Sequence, residues 1–152
     1  MKRLFIFSLL LPLFILSCKK DDGQSQADID EEKIQQYVAD NNIPATRDAS
    51  GIYYVINETG SGGSPVLSSD VEVRYKGELL DGTVFDQTQG GATVEFPLSN
   101  LIEGWQIAIP MLQKGGDGLF IIPSALGYGS RAIGSIPANS VLVFEIELVN
   151  FN

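Results

Sequence analysis

The sequence predicts an α+β fold: an antiparallel sheet of about five strands wrapped around one short helix, preceded by a helical N-terminal extension. Several short segments alternate apolar and polar residues and are separated by turn residues, which is typical of antiparallel strands. A single short apolar segment with helical spacing, residues 102–109, lies among them. The chain has 152 residues, 44% of them hydrophobic, which is enough for one such domain with additional segments.

The beginning of the chain has the pattern of a bacterial lipoprotein signal. Two basic residues precede an apolar run over residues 4–16, which is shorter than the roughly 20 residues needed to span a bilayer. Leu16 is bulkier than usual at its position, and Cys18 follows two residues later. We therefore expect residues 1–17 to be a signal peptide and Cys18 to carry the lipid. An ordinary cleaved signal is the alternative, but Cys18 is the only cysteine and charge begins directly after it.

The residues after Cys18 predict a flexible tether over 18–27, because they are small, polar and charged. Lys19 is not the aspartate that retains some lipoproteins at the inner membrane. Residues 20–22 resemble a tag for export to the cell surface, or are a generic solvated segment. We therefore expect a cell-envelope location with a lipid anchor in the outer membrane, on its periplasmic or its surface face.

Charge and residue usage exclude several functions. Without residues 1–17 the chain has 8 basic and 19 acidic residues, a net charge near −11, which disfavours nucleic acid and anionic headgroups as partners. Membrane attachment would therefore depend on acyl chains. The chain has no histidine, the commonest general base and a frequent zinc ligand. Hydrolase triads and zinc sites are disfavoured, and we expect no metal and no cofactor.

An N-terminal helix is predicted within residues 28–45. Asp28, with Glu31 three residues later, resembles a capping box, and Pro44 follows the end of the helix near residue 41. The apolar stripe of this helix is formed by Ile34, Tyr37 and Val38. Because the stripe is narrow, we expect the helix to dock weakly on the main domain or on a partner.

Residues 46–152 are predicted to form the main domain. Strands are predicted over residues 52–56, 71–76, 94–98, 118–123 and 141–151. Asp81 and Gly82 predict a two-residue hairpin turn after the second of these strands. Pro110 closes the short helix at 102–109. A loop rich in Gly, Pro and Ser, residues 124–140, separates the last two strands, and long loops in compact domains usually carry function.

Four motifs occur in order along the main domain. They are YKGELLDGTVFD at 75–86, FPLSNLIEGW at 96–105, IPSALGYG at 122–129 and IPANSVLVFEIEL at 136–148. Together they resemble the FKBP-type peptidyl-prolyl cis-trans isomerases over residues 51–151. One such motif would be weak support, whereas four in this order with compatible spacing are specific. The resemblance implies the fold of that family.

The resemblance also implies a pocket that encloses the proline of a bound peptide. Trp105 would form its floor, and its aromatic walls would be Tyr75, Phe85 and Phe144. The implied donors to peptide carbonyls are the backbone N–H of Ile102 and the hydroxyl of Tyr128, with Asp86 at the pocket edge. Further substrate contacts are implied for Val94, Phe96, Leu101 and Ile136.

Two positions depart from the family pattern. Val94 stands where family members often have another aromatic residue, and Ser135 where an apolar residue is frequent. Both would widen or hydrate the pocket. Taken singly, the aromatic residues would be core residues of any such sheet. Asp86, directly after an aromatic residue, and Tyr128, between two glycines, are harder to explain by packing alone.

The predicted function is peptidyl-prolyl cis-trans isomerisation in proline-containing unfolded or exported polypeptides. An apolar pocket would enclose the proline, without metal, cofactor or nucleic acid. The alternative is a non-catalytic chaperone or assembly module on the same fold, which Val94 and Ser135 favour. The two functions differ in whether rotation about the Xaa-Pro bond is accelerated.

The lipid anchor is tested by Cys18→Ala. This variant should lose lipid modification and remain soluble or unprocessed, because no other cysteine can accept an acyl chain. Cell fractionation and metabolic labelling with a fatty acid measure the outcome. A processed variant that still sediments with membranes would contradict the lipoprotein prediction.

Overall fold

The structure, a computed structural model, describes residues 23–152. The predicted signal peptide, Cys18 and the first part of the predicted tether lie outside the described residues. The elements are α1 (Gln26–Asp40), β1 (Thr46–Arg47), β2 (Tyr53–Glu58), β3 (Asp70–Leu79), β4 (Val84–Gln87), β5 (Val94–Pro97), α2 (Glu103–Ala108), β6 (Gly116–Ile122) and β7 (Leu142–Phe151). Short 3₁₀ turns occur at Leu98–Asn100, Ile109–Met111 and Ser124–Leu126.

The strands form one antiparallel sheet in the order β1-β2-β6-β7-β3-β4, with β5 also paired to β3. On one side, β3 pairs with β5 through its first half and with β4 through its second half. On the other side it pairs with β7 along its whole length. The predicted α+β fold, an antiparallel sheet packed on one short helix, is confirmed. The sheet has seven strands instead of about five, because β1 has only two residues and the sequence of β4, VFDQ, does not alternate apolar and polar residues.

The hairpin between β3 and β4 differs from the predicted two-residue turn. The N–H of Leu79 donates to the Thr83 carbonyl at 3.0 Å, and the N–H of Gly82 donates to the Leu79 carbonyl at 2.9 Å. Gly82 has a φ of 84°, whereas Asp81 is not in the positive-φ region. Residues 80–82 therefore form a three-residue loop with glycine at its left-handed position. The prediction was wrong by one residue because Leu80 belongs to the turn and not to the strand.

The inner face of the sheet, which bears Val71 and Val73 of β3, packs against α2. Trp105 and Ala108 of α2 are buried there, and β7 contributes Leu142, Phe144, Ile146 and Leu148. A six-residue helix has little stability of its own, so α2 depends on this packing. It ends where Pro110 enters the following 3₁₀ turn, as the sequence predicts.

Helix α1 covers part of the opposite, outer face of the sheet. Ile34 is completely buried in a cluster with Tyr53, Ile121, Val141 and Val143. Tyr37 and Val38 pack against the same cluster. The helix therefore docks on the main domain, one of the two predicted alternatives, while the weakness of this docking stays a prediction. The stripe is narrow on the helix, but it meets an apolar patch of the sheet that strand alternation alone did not reveal.

The start of α1 also differs from the prediction. Ser25 is the N-cap, and its hydroxyl accepts from the N–H of Asp28 at 3.2 Å while the Asp28 carboxylate accepts from the N–H of Ser25 at 3.1 Å. This reciprocal pair replaces the predicted box of Asp28 and Glu31, so the helix begins at Gln26, inside the predicted tether. No helix within residues 23–152 has the length and apolar character needed to cross a membrane.

The docking of α1 is tested by Ile34→Ala. Removing a fully buried isoleucine side chain should lower the free energy of unfolding by about 2–5 kcal/mol. Gln36→Ala is the matched control, because Gln36 lies on the same helix with its side chain exposed, and its change should stay within about 0.5 kcal/mol. Urea denaturation of the full chain measures both. Equal stability of the two variants would show that α1 does not contribute to the fold.

Candidate active site

A cavity of about 370 Å³ opens between α2, β4 and the long loop after β6. This volume is within the usual range for small-ligand pockets. Its lining residues come from both sheet and loops and are Tyr75, Phe85, Asp86, Phe96, Leu101, Ile102, Trp105, Tyr128, Ile133, Gly134, Ser135, Ile136 and Phe144. Most of them are aromatic or aliphatic, so the cavity suits an apolar group.

Trp105 forms the floor of the cavity and makes edge-to-face contacts with other aromatic rings. Its ring centroid lies 5.0 Å from that of Tyr75 and 5.2 Å from that of Phe144, with interplanar angles of 83° and 84°. Phe96 makes a third, longer contact at 6.5 Å. These edge-to-face arrangements are the favoured geometry for aromatic pairs. The buried indole N–H has no hydrogen-bond partner among residues 23–152, so the mainly apolar floor carries one unsatisfied donor.

Gly77 makes room for the aromatic wall beside this floor. It lies opposite Phe144 in the register of β3 and β7. A Cβ atom at Gly77 would be 2.6 Å from the ring of Phe85 and 2.8 Å from that of Phe144. Without a side chain there, the two rings meet edge to face at 5.5 Å across the strand. The wall therefore depends on a glycine in the interior of β3.

The polar groups of the site lie at the edge of the cavity. The hydroxyl of Tyr75 donates to the carboxylate of Asp86 at 2.5 Å. Burial, and secondly the bond to Asp86, raise the pKa of Tyr75 far above its ordinary value. Burial, and secondly the charge of Asp86, also raise the pKa of Tyr128. Both hydroxyls therefore stay protonated at neutral pH and can act as donors.

Two donors near the cavity are available to a bound molecule. Ile102 is the N-cap of α2, and its N–H donates to no group within the described part of the chain. Tyr128 lies in the loop after the Ser124–Leu126 turn, and its hydroxyl has no hydrogen bond to another described residue. The arrangement can therefore bind an apolar ring and donate hydrogen bonds to carbonyl groups beside it.

The structure brings together every predicted pocket residue except Val94. Val94 of β5 pairs with Val73 and is not among the lining residues of the cavity, so its predicted substrate contact stays a prediction. The sequence reasoning missed Ile133 and Gly134. These residues reach the cavity because Ile133 and Ile136 exchange two backbone hydrogen bonds that fold the loop back. The sequence could have indicated them, because they lie between Tyr128 and Ile136, two predicted pocket residues of the same loop.

The outer face of the sheet has a larger groove, about 680 Å³, beside the C-terminal end of α1. It is lined by charged residues such as Arg74 and Glu147, which pair with each other at 2.6 Å. This groove shares Tyr75 with the site described above, but it has no cluster of aromatic residues like the one around Trp105. Within residues 23–152, no cluster of three His, Cys, Asp or Glu side chains is placed to hold a metal ion.

Comparisons with known proteins agree with this geometry. A sequence profile of the FKBP-type peptidyl-prolyl cis-trans isomerases matches residues 62–149. The probable FKBP-type peptidyl-prolyl cis-trans isomerase FkpA of Neisseria meningitidis serogroup B is 38% identical over 132 residues, which are 86% of this chain and 48% of that protein. The peptidyl-prolyl cis-trans isomerase Mip of Coxiella burnetii is 36% identical over 74% of this chain and 50% of its own length. The chain thus spans about half the length of these curated relatives.

Two solved structures share the fold. The crystal structure of FkpA from Escherichia coli has a TM-score of 0.74 and 34% sequence identity, over 83% of this chain and 61% of that one. The crystal structure of a peptidyl-prolyl cis-trans isomerase from Pseudomonas syringae pv. tomato has a TM-score of 0.71 and 32% identity, over 83% of this chain and 96% of that one. The second protein is therefore matched over nearly its whole length.

The role of Gly77 is tested by Gly77→Ala. The added methyl group must displace the rings of Phe85 and Phe144, so the variant should lose about 1–3 kcal/mol of stability. Gly63→Ala is the control, since a Cβ there meets nothing within 4 Å and its backbone is not in the left-handed region. The control should be neutral or slightly stabilised. Urea denaturation curves that coincide for both variants would contradict the packing described here.

Proposed function

The chain belongs to the FKBP-type peptidyl-prolyl cis-trans isomerases, and we propose that it accelerates rotation about Xaa-Pro bonds in unfolded or exported polypeptides. The observation that carries this proposal is the cavity with Trp105 as its floor. It combines aromatic walls with few polar groups, and its volume of about 370 Å³ accommodates a prolyl residue.

The chemistry of the reaction suits such a cavity. Rotation about the Xaa-Pro bond breaks no covalent bond and must only overcome amide resonance, a barrier of about 18–20 kcal/mol. The twisted amide is less polarised than the planar one, so an apolar enclosure stabilises it relative to the planar amide in water. The uncatalysed reaction takes tens of seconds or longer. Bringing it below one second requires a gain of about 10²–10³, roughly 3–4 kcal/mol.

We assign the roles of the pocket residues as follows. Trp105 and the rings around it enclose the proline and exclude water. The N–H of Ile102 and the hydroxyl of Tyr128 donate to peptide carbonyls and fix the position of the chain on either side of the bond. Asp86 holds the hydroxyl of Tyr75 and so orients one wall. These contacts are preorganised, which lowers the cost of reaching the twisted state.

We further propose that the protein acts in the cell envelope, anchored through a lipid on Cys18. The support is the signal pattern of residues 1–17 and the acidic net charge, which leaves acyl chains as the means of attachment. The capping residue of α1 is Ser25, so only residues 18–24 separate the lipid from the folded unit. Seven residues span at most about 25 Å. The pocket would therefore work close to the membrane surface.

A binding module without catalysis is the second candidate. The loop over the cavity favours it, because Ser135 is exposed in the lining and Ile133 has 46% of its surface accessible. An accessible apolar residue beside a polar one would let an unfolded chain enter without being fully enclosed.

Three substitutions test the isomerase mechanism. Trp105→Ala should weaken binding of a proline peptide and cost about 3–5 kcal/mol of stability, because it empties the floor. Tyr128→Phe should keep stability and most of the binding but lower kcat modestly, since it removes one donor. Asp86→Ala should also act mainly on the rate, with a small loss of stability from the freed Tyr75 hydroxyl.

The measurement is kcat and KM on a tetrapeptide with an Xaa-Pro bond, together with the melting temperature of each full-chain variant. Tyr54→Phe is the control for Tyr128→Phe, because Tyr54 lies on β2 away from the cavity. It should behave like the parent. If the parent protein binds unfolded polypeptides but leaves the isomerisation rate at its uncatalysed value, the isomerase proposal is contradicted and the binding module is favoured.

A further inference from the structure

Asp30 is a buried acidic residue that the pocket does not use. It lies on α1 with 1% of its surface exposed. One carboxyl oxygen accepts from the backbone N–H of Ser124 at 2.8 Å and from the Ser124 hydroxyl at 2.5 Å. The other oxygen accepts from the side-chain amide of Gln26 at 2.7 Å. A buried carboxyl group is costly unless its hydrogen bonds are satisfied, and here three donors satisfy it.

Ser124 is also the residue that holds the loop of Tyr128. Its carbonyl accepts from the N–H of Gly127 at 3.0 Å and from the N–H of Gly129 at 2.8 Å. These two glycines stand on either side of Tyr128. The N–H and hydroxyl of Ser124 therefore donate to Asp30, while the carbonyl of Ser124 accepts from the residues on both sides of Tyr128. A single residue connects α1 to the segment that presents the Tyr128 hydroxyl to the cavity.

The floor and the Phe144 wall of the pocket belong to elements other than this loop. Trp105 is fixed by α2, and Phe144 belongs to β7. Helix α1 contributes no residue to the lining of the cavity. It also lies outside residues 62–149, the part matched by the family profile. We therefore expect any effect of Asp30 on the reaction to pass through the position of the loop.

We propose that Asp30 is a positioning residue that fixes the Tyr128 loop through Ser124, so that α1 supports catalysis without touching the substrate. The inference rests on the proposed isomerase activity. Small displacements of a donor reduce its effect on the transition state. Loss of the Asp30 contact should therefore lower kcat while KM stays nearly constant, because the apolar floor that binds the proline is unchanged.

The test is a double-mutant cycle between Asp30→Ala and Tyr128→Phe in the full chain, with kcat and KM measured on the tetrapeptide. Asp30→Ala should lower kcat about two- to tenfold, the effect of one hydrogen bond, and leave KM within about twofold. In the Tyr128→Phe background the same substitution should have no further effect on kcat, because the hydroxyl that it positions is already absent. A residue with a merely structural role would lower kcat equally in both backgrounds.

Unlike Asp30→Ala, the Asp30→Asn variant should keep most of the kcat of the parent, since the amide oxygen of asparagine can still accept from Ser124. Glu31→Ala is the matched control, because Glu31 is the next residue of α1 and bonds to Arg47 and Tyr53, away from the loop. It should leave kcat unchanged. If Asp30→Ala does not fold, Ser124→Ala replaces it in the cycle, since it removes the hydroxyl bond alone.

The outcomes separate this inference from the proposed function. A parent protein without isomerase activity would reject the proposed function and the inference with it. An active parent in which the effects of Asp30→Ala and Tyr128→Phe multiply, or in which Asp30→Ala has the kcat of the parent, would reject the inference alone. A loss of kcat in Glu31→Ala equal to that in Asp30→Ala would also reject it, because the effect would then belong to the helix as a whole.

Discussion

The packing of Trp105 against the inner face of the sheet is the contact on which both the fold and the site depend. Helix α2 has six residues and is too short to be stable alone. Its place is set by the burial of Trp105 against Tyr75 of β3 and Phe144 of β7. The same three rings close the core on one side and line the cavity on the other, with Trp105 as its floor. The floor is therefore held by contacts of the core.

The rest of the site is built on less buried elements. Asp86 is exposed on the short strand β4, and the loop that carries Tyr128 and Ile133 runs over the surface. This division agrees with a reaction in which enclosure provides most of the stabilisation and a few donors add to it. Under the proposed function, the apolar part would require a fixed shape, while the loop would have to let a polypeptide enter and leave.

A helix packs on each face of the sheet. The folded unit is therefore larger than residues 62–149, the part matched by the family profile. The profile begins at residue 62, but β2 pairs with β6 and α1 covers the outer face through Ile34. The buried contact between Asp30 and Ser124 joins this outer layer to the loop of the site. The helix before the main domain is thus part of the same folded body.

The sequence alone determined the features that have a local cause. Alternation in β3 and β7 predicts the sheet, and Pro110 predicts the end of α2. Nearly all of the cavity lining was implied by the resemblance of four motifs to a known family. The tertiary structure alone decided that α1 docks on the outer face of the sheet and that Asp30 meets a residue 94 positions away. The physical reason is that periodicity shows which side chains avoid water but not what they pack against. A hydrogen bond between distant residues leaves no pattern in the sequence around either of them.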